Sequence, residues 1–247
     1  MTLAVVALVC VLDGGDPPAT LVAGDAAFEA VDYPRAIALY ESGLAANERD
    51  TGLLWRLARA YVCMGESSGV PETPGAFLSA LGYARRCVAA DSLSWEGHTW
   101  LAASLGYLAL HESVGKQVDL SRELHREALR AIELNPKNDA AYSILGSFYR
   151  ALGNVSWVQR SLAAIFLGPV PPGGRAEAES ALKTAVALAP DVMRHQYELG
   201  VLYMDMGREE DARTALRTAL TLPLRTAIDR PRRAKARELL EELGAGE

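Results

Sequence analysis

Two stretches of this chain superimpose without a gap. NDAAYSILGSFYRALGN, residues 138–154, matches DVMRHQYELGVLYMDMGR, residues 191–208. Each carries Leu-Gly, a tyrosine three residues later and a second glycine four residues after that: Leu145-Gly146, Tyr149 and Gly153, then Leu199-Gly200, Tyr203 and Gly207. A second shared pattern joins EALRAIELNPKN (127–138) to SALKTAVALAPDV (180–192), where an apolar-periodic helix stops at Pro136 or Pro190. Self-similarity of this kind constrains the fold more than any composition, because one hairpin cannot bury its apolar face alone and must stack on its neighbours. The glycine after the leucine lets two helices approach, and the Ala and Leu of the second helix fill that gap. The proline cannot continue the helix and sets the turn into the next unit. Gly153 and Gly207 stand where left-handed helix caps are expected.

These features resemble the tetratricopeptide repeat, a helix-turn-helix unit of about 34 residues. The template predicts an all-α, right-handed superhelical solenoid of about five helix hairpins plus a C-terminal capping helix. The first hairpin pairs residues 17–31 with 33–47, where Ala36, Tyr40 and Gly43 share a face. The second pairs 51–65 with 75–90, and the third pairs 94–110 with 119–134. The fourth pairs a helix starting at Asp139 with 175–189, and the fifth occupies 192–222. A last helix over 229–243 covers the open apolar end. Residues 16–247 are thus read as a single repeat domain, with insertions at about 65–75, 111–118 and 154–174.

All three insertions lie inside hairpins and should emerge on one edge of the stack, where insertions often mark a working surface. The last is the most unusual. In SWVQRSLAAIFLGPVPPGG, Trp157, Val158, Leu162, Ile165 and Phe166 recur at near-helical spacing before a Pro/Gly stop. A helix this apolar is expected to fold back on the first helices and close part of the groove, with Trp157 and Phe166 as anchors.

Composition narrows the function classes. The chain is 50% hydrophobic and 23% charged over 247 residues, which suits a packed core. Its net charge of −6 speaks against a nucleic-acid surface, which needs a basic excess. No apolar run reaches the roughly 18 residues of a membrane span. Residues 1–15 read as a signal or leader segment: LAVVALVCVL (3–12) has the length of an export h-region, although no Lys or Arg precedes it. This favours an exported or periplasmic location over a cytoplasmic one. Three cysteines, Cys10, Cys63 and Cys87, form no disulfide framework, and the latter two are expected to be free and buried.

A narrower resemblance rests on WRLARAY (55–61), ALRAIELNPKNDAAYSILG (128–146) and SWVQRSLAAIFLGPVPPGGRAEAESALK (156–183). These blocks, in this order, are similar to the regulator of microtubule dynamics family. The resemblance implies a non-enzymatic repeat domain. Eukaryotic members associate with microtubules and mitochondria, and one member's repeat domain binds and moves phospholipid. The Ala/Arg-rich usage of this chain points to a bacterial source.

No enzyme signature is present. His98, His111, His125 and His195 lack partners at metal-ligand spacing, and there is no nucleophile elbow or phosphate-cradling loop. No cofactor or metal is expected. The expected working surface is the concave groove lined by first helices. Its candidate residues are Trp55, Arg59, Thr99, Ser143, Ser147, Arg150 and Tyr197, joined by Trp157, Arg160 and Phe166 of the insertion. A protein or peptide partner is the first reading, and a phospholipid in the groove and apolar insert is the alternative. The six basic residues of RTAIDRPRRAKAR (225–237) are read mainly as Glu-Arg pairing along a solvated helix, with contact to an anionic membrane or partner as the alternative.

Overall fold

The computed structural model describes residues 19–67 and 74–244, and within them every regular element is a helix. Five hairpins follow one another: α1 (Ala19–Glu29) with α2 (Tyr33–Leu44), α3 (Thr51–Ser67) with α4 (Pro74–Ala90), α5 (Trp95–Ala109) with α6 (Val114–Leu134), α7 (Asp139–Gly153) with α9 (Arg175–Leu188), and α10 (Met193–Asp205) with α11 (Glu209–Thr221). Helix α8 (Trp157–Leu167) interrupts the fourth hairpin, and α12 (Asp229–Gly244) follows the fifth. The leader reading of residues 1–15, with Cys10, lies outside the described residues, as does the loop of the second hairpin's insertion.

The hairpins close where small residues admit large ones. A Cβ on Gly146 would stand 2.6 Å from Leu182 Cγ, and one on Gly200 would stand 2.7 Å from Leu216 Cγ. The same glycine-leucine lock therefore recurs in two units. Helix starts are set by local caps. Ser94 accepts from the Gly97 amide, Asn138 from Ala141 and Asp32 from Arg35. Gly207 ends α10 with φ 69°, as a left-handed cap should. Gly153 departs from expectation, because its φ is not positive. It is small for another reason: a Cβ there would meet Arg175 Cγ at 2.7 Å and the Arg175 amide nitrogen at 3.0 Å. The insertion in the third hairpin also differs. Helix α6 begins at Val114 rather than near Asp119, so most of 111–118 is extra helix instead of loop.

First helices touch one another along the stack, α3 with α5, α5 with α7 and α7 with α10, and so form the inner row. The second helices stand outside it. Apolar cores run along the interface: Tyr40, Leu53, Leu54 and Leu57 at the N-terminal end, Leu101, Leu105, Leu145 and Phe148 in the middle. At the other end Leu199, Leu202 and Leu216 are closed by Ala236 and Leu243 of α12. No helix among the described residues is long and apolar enough to cross a membrane.

Candidate interaction groove

The inner face of the first helices is occupied in part by the chain's own C-terminal segment. The connector 222–228 and the first turn of α12 return along this face to the N-terminal hairpins. The Ala227 amide donates to Tyr33 Oη at 3.1 Å, and Arg232 Nη2 donates to Glu66 Oε1 at 2.9 Å. Burial pushes the Tyr33 phenol up to about 12. Two cavities flank the segment. One, of about 580 Å³, is walled by Asp25, Phe28 and Glu29 of α1, Trp55, Arg56 and Arg59 of α3, and Leu224 to Thr226. The other, of about 320 Å³, is walled by Glu66, Tyr107 and Tyr197 and by Ile228, Pro231, Arg232 and Lys235.

The wall of the smaller cavity carries a buried charge cluster drawn from four helices. Glu66, with a side chain 3% exposed, receives Arg232, the Tyr107 hydroxyl, and Arg194 Nη1 at 3.5 Å. Burial raises the Glu66 carboxyl, but the two guanidinium groups and the Tyr107 hydrogen bond outweigh it and hold the group below the usual carboxylate range. The cluster ties α3 and α5 to α10 and α12. Nothing in the sequence marks Glu66, Tyr107, Arg194 and Arg232 as partners, because the fold alone brings them together.

The predicted groove residues separate into several environments. Trp55 and Arg59 line the larger cavity. The Arg59 guanidinium lies 3.8 Å from the Phe28 ring centroid and 5.0 Å from that of Trp55, and Arg56 covers Trp55 at 4.3 Å. Asp25 binds Arg56 Nε at 2.8 Å and the Tyr40 hydroxyl at 2.6 Å. Burial raises the Asp25 carboxyl, but these hydrogen bonds and the charges of Arg56 and Arg59 bring it below its ordinary value. Tyr197 lines the smaller cavity. Arg150 pairs with Asp205 at 3.2 Å and Glu198 at 3.7 Å. The hydroxyls of Ser143 and Ser147, on the same face of α7, have no hydrogen-bond partner, and neither do Arg59 Nε, Arg150 Nε and Arg194 Nε.

Thr99 is not a lining residue. It is 1% exposed, donates to the Trp95 carbonyl at 2.7 Å and accepts from Asn138 Nδ2 at 2.6 Å. The N-cap of the next repeat covers it. Phe166 is a larger correction: it is 77% exposed and anchors nothing. Helix α8 does not fold onto the first helices. It leans on the outer helix α6, where Arg122 Nε donates to the Pro169 carbonyl at 2.7 Å and Nη2 to the Leu167 carbonyl at 2.5 Å. Arg160 is spent on the Gly173 carbonyl at 2.6 Å. The side chain of Trp157 lies outside what the structure describes. Val158, Leu162, Ile165 and Phe166 consequently form an apolar face open to solvent.

His98 and His195 are buried in structural pairs. His98 Nδ1 lies 2.5 Å from Glu127 Oε2, and His195 Nε2 lies 2.8 Å from Asp139 Oδ2. Cys63 and Cys87 are free and buried, with the Cys63 thiol pushed up to about 12 by desolvation. Among the described residues no His/Cys/Asp/Glu group has the arrangement to hold a metal ion.

Comparison with known proteins agrees with this architecture. The family model described as Regulator of microtubule dynamics protein 1-3 matches residues 21–244. The chain belongs to this family. It is 28% identical to regulator of microtubule dynamics protein 1 of Bos taurus over 225 residues, covering 86% of this chain and 69% of that protein. It is 29% identical to regulator of microtubule dynamics protein 3 of Rattus norvegicus, covering 69% of this chain but only 36% of the relative. Among solved structures, a thermophilic TPR protein of Thermus thermophilus superimposes with a TM-score of 0.68 at 22% identity. That match covers 90% of this chain and 97% of the other. It establishes the fold as a tetratricopeptide-type helical solenoid.

Proposed function

We propose that the protein is a non-enzymatic scaffold that binds a protein or peptide partner on the inner face of its solenoid. The observation that supports this is the pair of cavities beside the C-terminal segment, together with the unpartnered Ser147 hydroxyl and the Nε atoms of Arg59, Arg150 and Arg194 along the same row of helices; Ser143, 1% exposed, is closed off as Thr99 is. Extended concave surfaces are how stacked repeats present many weak contacts to one ligand. Photo-crosslinking tests the proposal. A photoreactive residue at Trp55 should capture a discrete partner in extracts of the native host, whereas one at Arg85 on the outer helix α4 should not. Equal capture at both positions, or none at Trp55, would refute it.

A second reading, contact with phospholipid, is favoured by one observation. The apolar face of α8 is exposed, and no Asp or Glu occurs from Val155 to Gly174, where Arg160 is the only charged residue. Such a face suits a lipid interface. The chain should then float with vesicles containing phosphatidic acid and transfer a labelled copy of that lipid between vesicles. Neither would occur for a protein-only scaffold.

A further inference from the structure

The C-terminal segment is chemically informative about what the groove accepts. It runs LPLRTAIDRPRR, residues 222–233, with prolines at 223 and 231 and four arginines. On the groove side Glu66 meets this charge in the smaller cavity, while in the larger one Asp25 and Glu29 share the wall with Arg56 and Arg59, both paired with Asp25. Arg232 reaches the most buried of these carboxylates, and the Ala227 amide reaches Tyr33. Arg225 pairs with Asp191, and the segment holds its own turn through Asp229 Oδ2, which accepts from the Arg225 and Thr226 amides at 2.9 and 2.8 Å.

The seat is nevertheless incomplete. Solvent-open clefts of about 580 and 320 Å³ remain on the two sides of this segment, so it fills only part of the inner face. Thr226 Oγ1 and Arg233 Nε on the segment, and Arg59 Nε and Arg194 Nε on the groove, have no hydrogen-bond partner. Buried polar groups are normally satisfied, so around the buried Arg232–Glu66 pair the seat leaves hydrogen-bonding capacity unused. It contrasts with the glycine-leucine locks between the repeat helices.

We propose that residues 222–233 are a built-in pseudo-ligand of the groove, and that the partner bound in trans is a segment of the same chemistry. That partner is a short, proline- and arginine-containing stretch that turns into a helix, as this one does at Asp229, and whose arginine takes the place of Arg232 against Glu66. The proposal rests on the reading of the groove as the binding surface and adds both the ligand class and the regulation. A partner binds only the fraction of molecules whose groove is open, so its apparent affinity falls in proportion to that fraction. Loosening the segment raises affinity without a new contact.

The experiment uses the full chain and a fluorescent peptide of residues 222–235, read by anisotropy. Two changes weaken the segment and leave the groove intact: Ala227→Pro, which removes the amide donor to Tyr33, and Arg232→Gln. Each should bind the peptide at least about tenfold more tightly than the wild-type chain. Adding Glu66→Gln should abolish the gain, and a peptide with Gln at the position of Arg232 should bind about tenfold more weakly. The proposal is overturned if both strap variants, with native helix content, bind the peptide no better than wild type. It is equally overturned if a scrambled peptide binds as well or if Glu66→Gln changes nothing. Should the Trp55 crosslink still capture a partner in that case, the groove reading stands and only the pseudo-ligand is lost.

Discussion

Arg232 and Glu66 are 166 residues apart in the chain and 2.9 Å apart in the fold, both nearly closed to solvent. This contact joins the start of the capping helix to the end of α3, and so turns an open stack of hairpins into a partly closed one. Arg194 and the Tyr107 hydroxyl complete the surroundings of the carboxylate. Truncating Glu66 should be severe, because it would remove the buried carboxylate that two guanidinium groups share. Glu66→Ala is expected to cost about 3–5 kcal/mol in urea unfolding. Arg232→Ala should cost less, since Arg194 still faces the carboxylate.

The glycine-leucine locks predict matched losses in two units. Gly146→Ala and Gly200→Ala each place a methyl within 3 Å of a buried leucine, Leu182 or Leu216, whose backbone nitrogen lies close behind at 3.3 Å. Neither leucine can withdraw freely. Each substitution should cost about 1–3 kcal/mol, seen as a fall of several degrees in the thermal midpoint. Gly82, beside which a Cβ meets nothing within 4 Å, is the control and should tolerate alanine.

The buried pair of His98 and Glu127 gives a pH signature. His98 Nδ1 faces the carboxylate and Nε2 faces the Ser92 carbonyl at 3.1 Å. Two acceptors call for two ring protons, so the imidazolium is the form that fits. The Glu127 hydrogen bond raises His98 above its ordinary value, and the His98 bond lowers Glu127 below its own. The histidine's contribution is complete below its unfolded value and is lost as pH rises through its folded one. The glutamate's contribution is complete above its unfolded value and is lost as pH falls through its folded one. The stability difference between wild type and His98→Gln should therefore be largest between about pH 4.3 and 6.5 and shrink on both sides. Urea midpoints measured across that range check it.

Phe166 predicts the opposite of what its sequence context suggests. A phenylalanine in an apolar helix should cost several kcal/mol when truncated in a core. Exposed on α8, Phe166→Ser should instead change the unfolding free energy by no more than about 0.5 kcal/mol. A loss of several kcal/mol would mean that the α8 face is covered in solution.

The contrast between these sites explains what is legible in the sequence. The hairpins can be read because their determinants are local: Leu145-Gly146 with its tyrosine, and the proline stops at 136 and 190. The start of α6 is hidden because Val114, Gly115 and Val118 are weak helix formers, although the turn they make is held by the Gln117 side chain on the Glu112 carbonyl. Thr99 lies on the expected face, but Asn138 of the following repeat reaches over it. The insertion of the fourth hairpin is legible as a helix, with Ser156 and Gln159 forming its capping box. Its destination is not, because it depends on Arg122 of an outer helix. The basic run 225–237 has the pattern of a solvated helix face, and only the curvature of the whole stack sends Arg232 into the groove.

The seating of the C-terminal segment is the centre of this account, and hydrogen exchange of the Ala227 amide tests it most directly. In the native full chain that amide should exchange far more slowly than an exposed connector amide, and Tyr33→Phe should release it while the amides of α10 and α11 remain protected. An Ala227 amide that exchanges at the rate of an unstructured peptide in the wild-type protein would show that the groove is not occupied by its own chain.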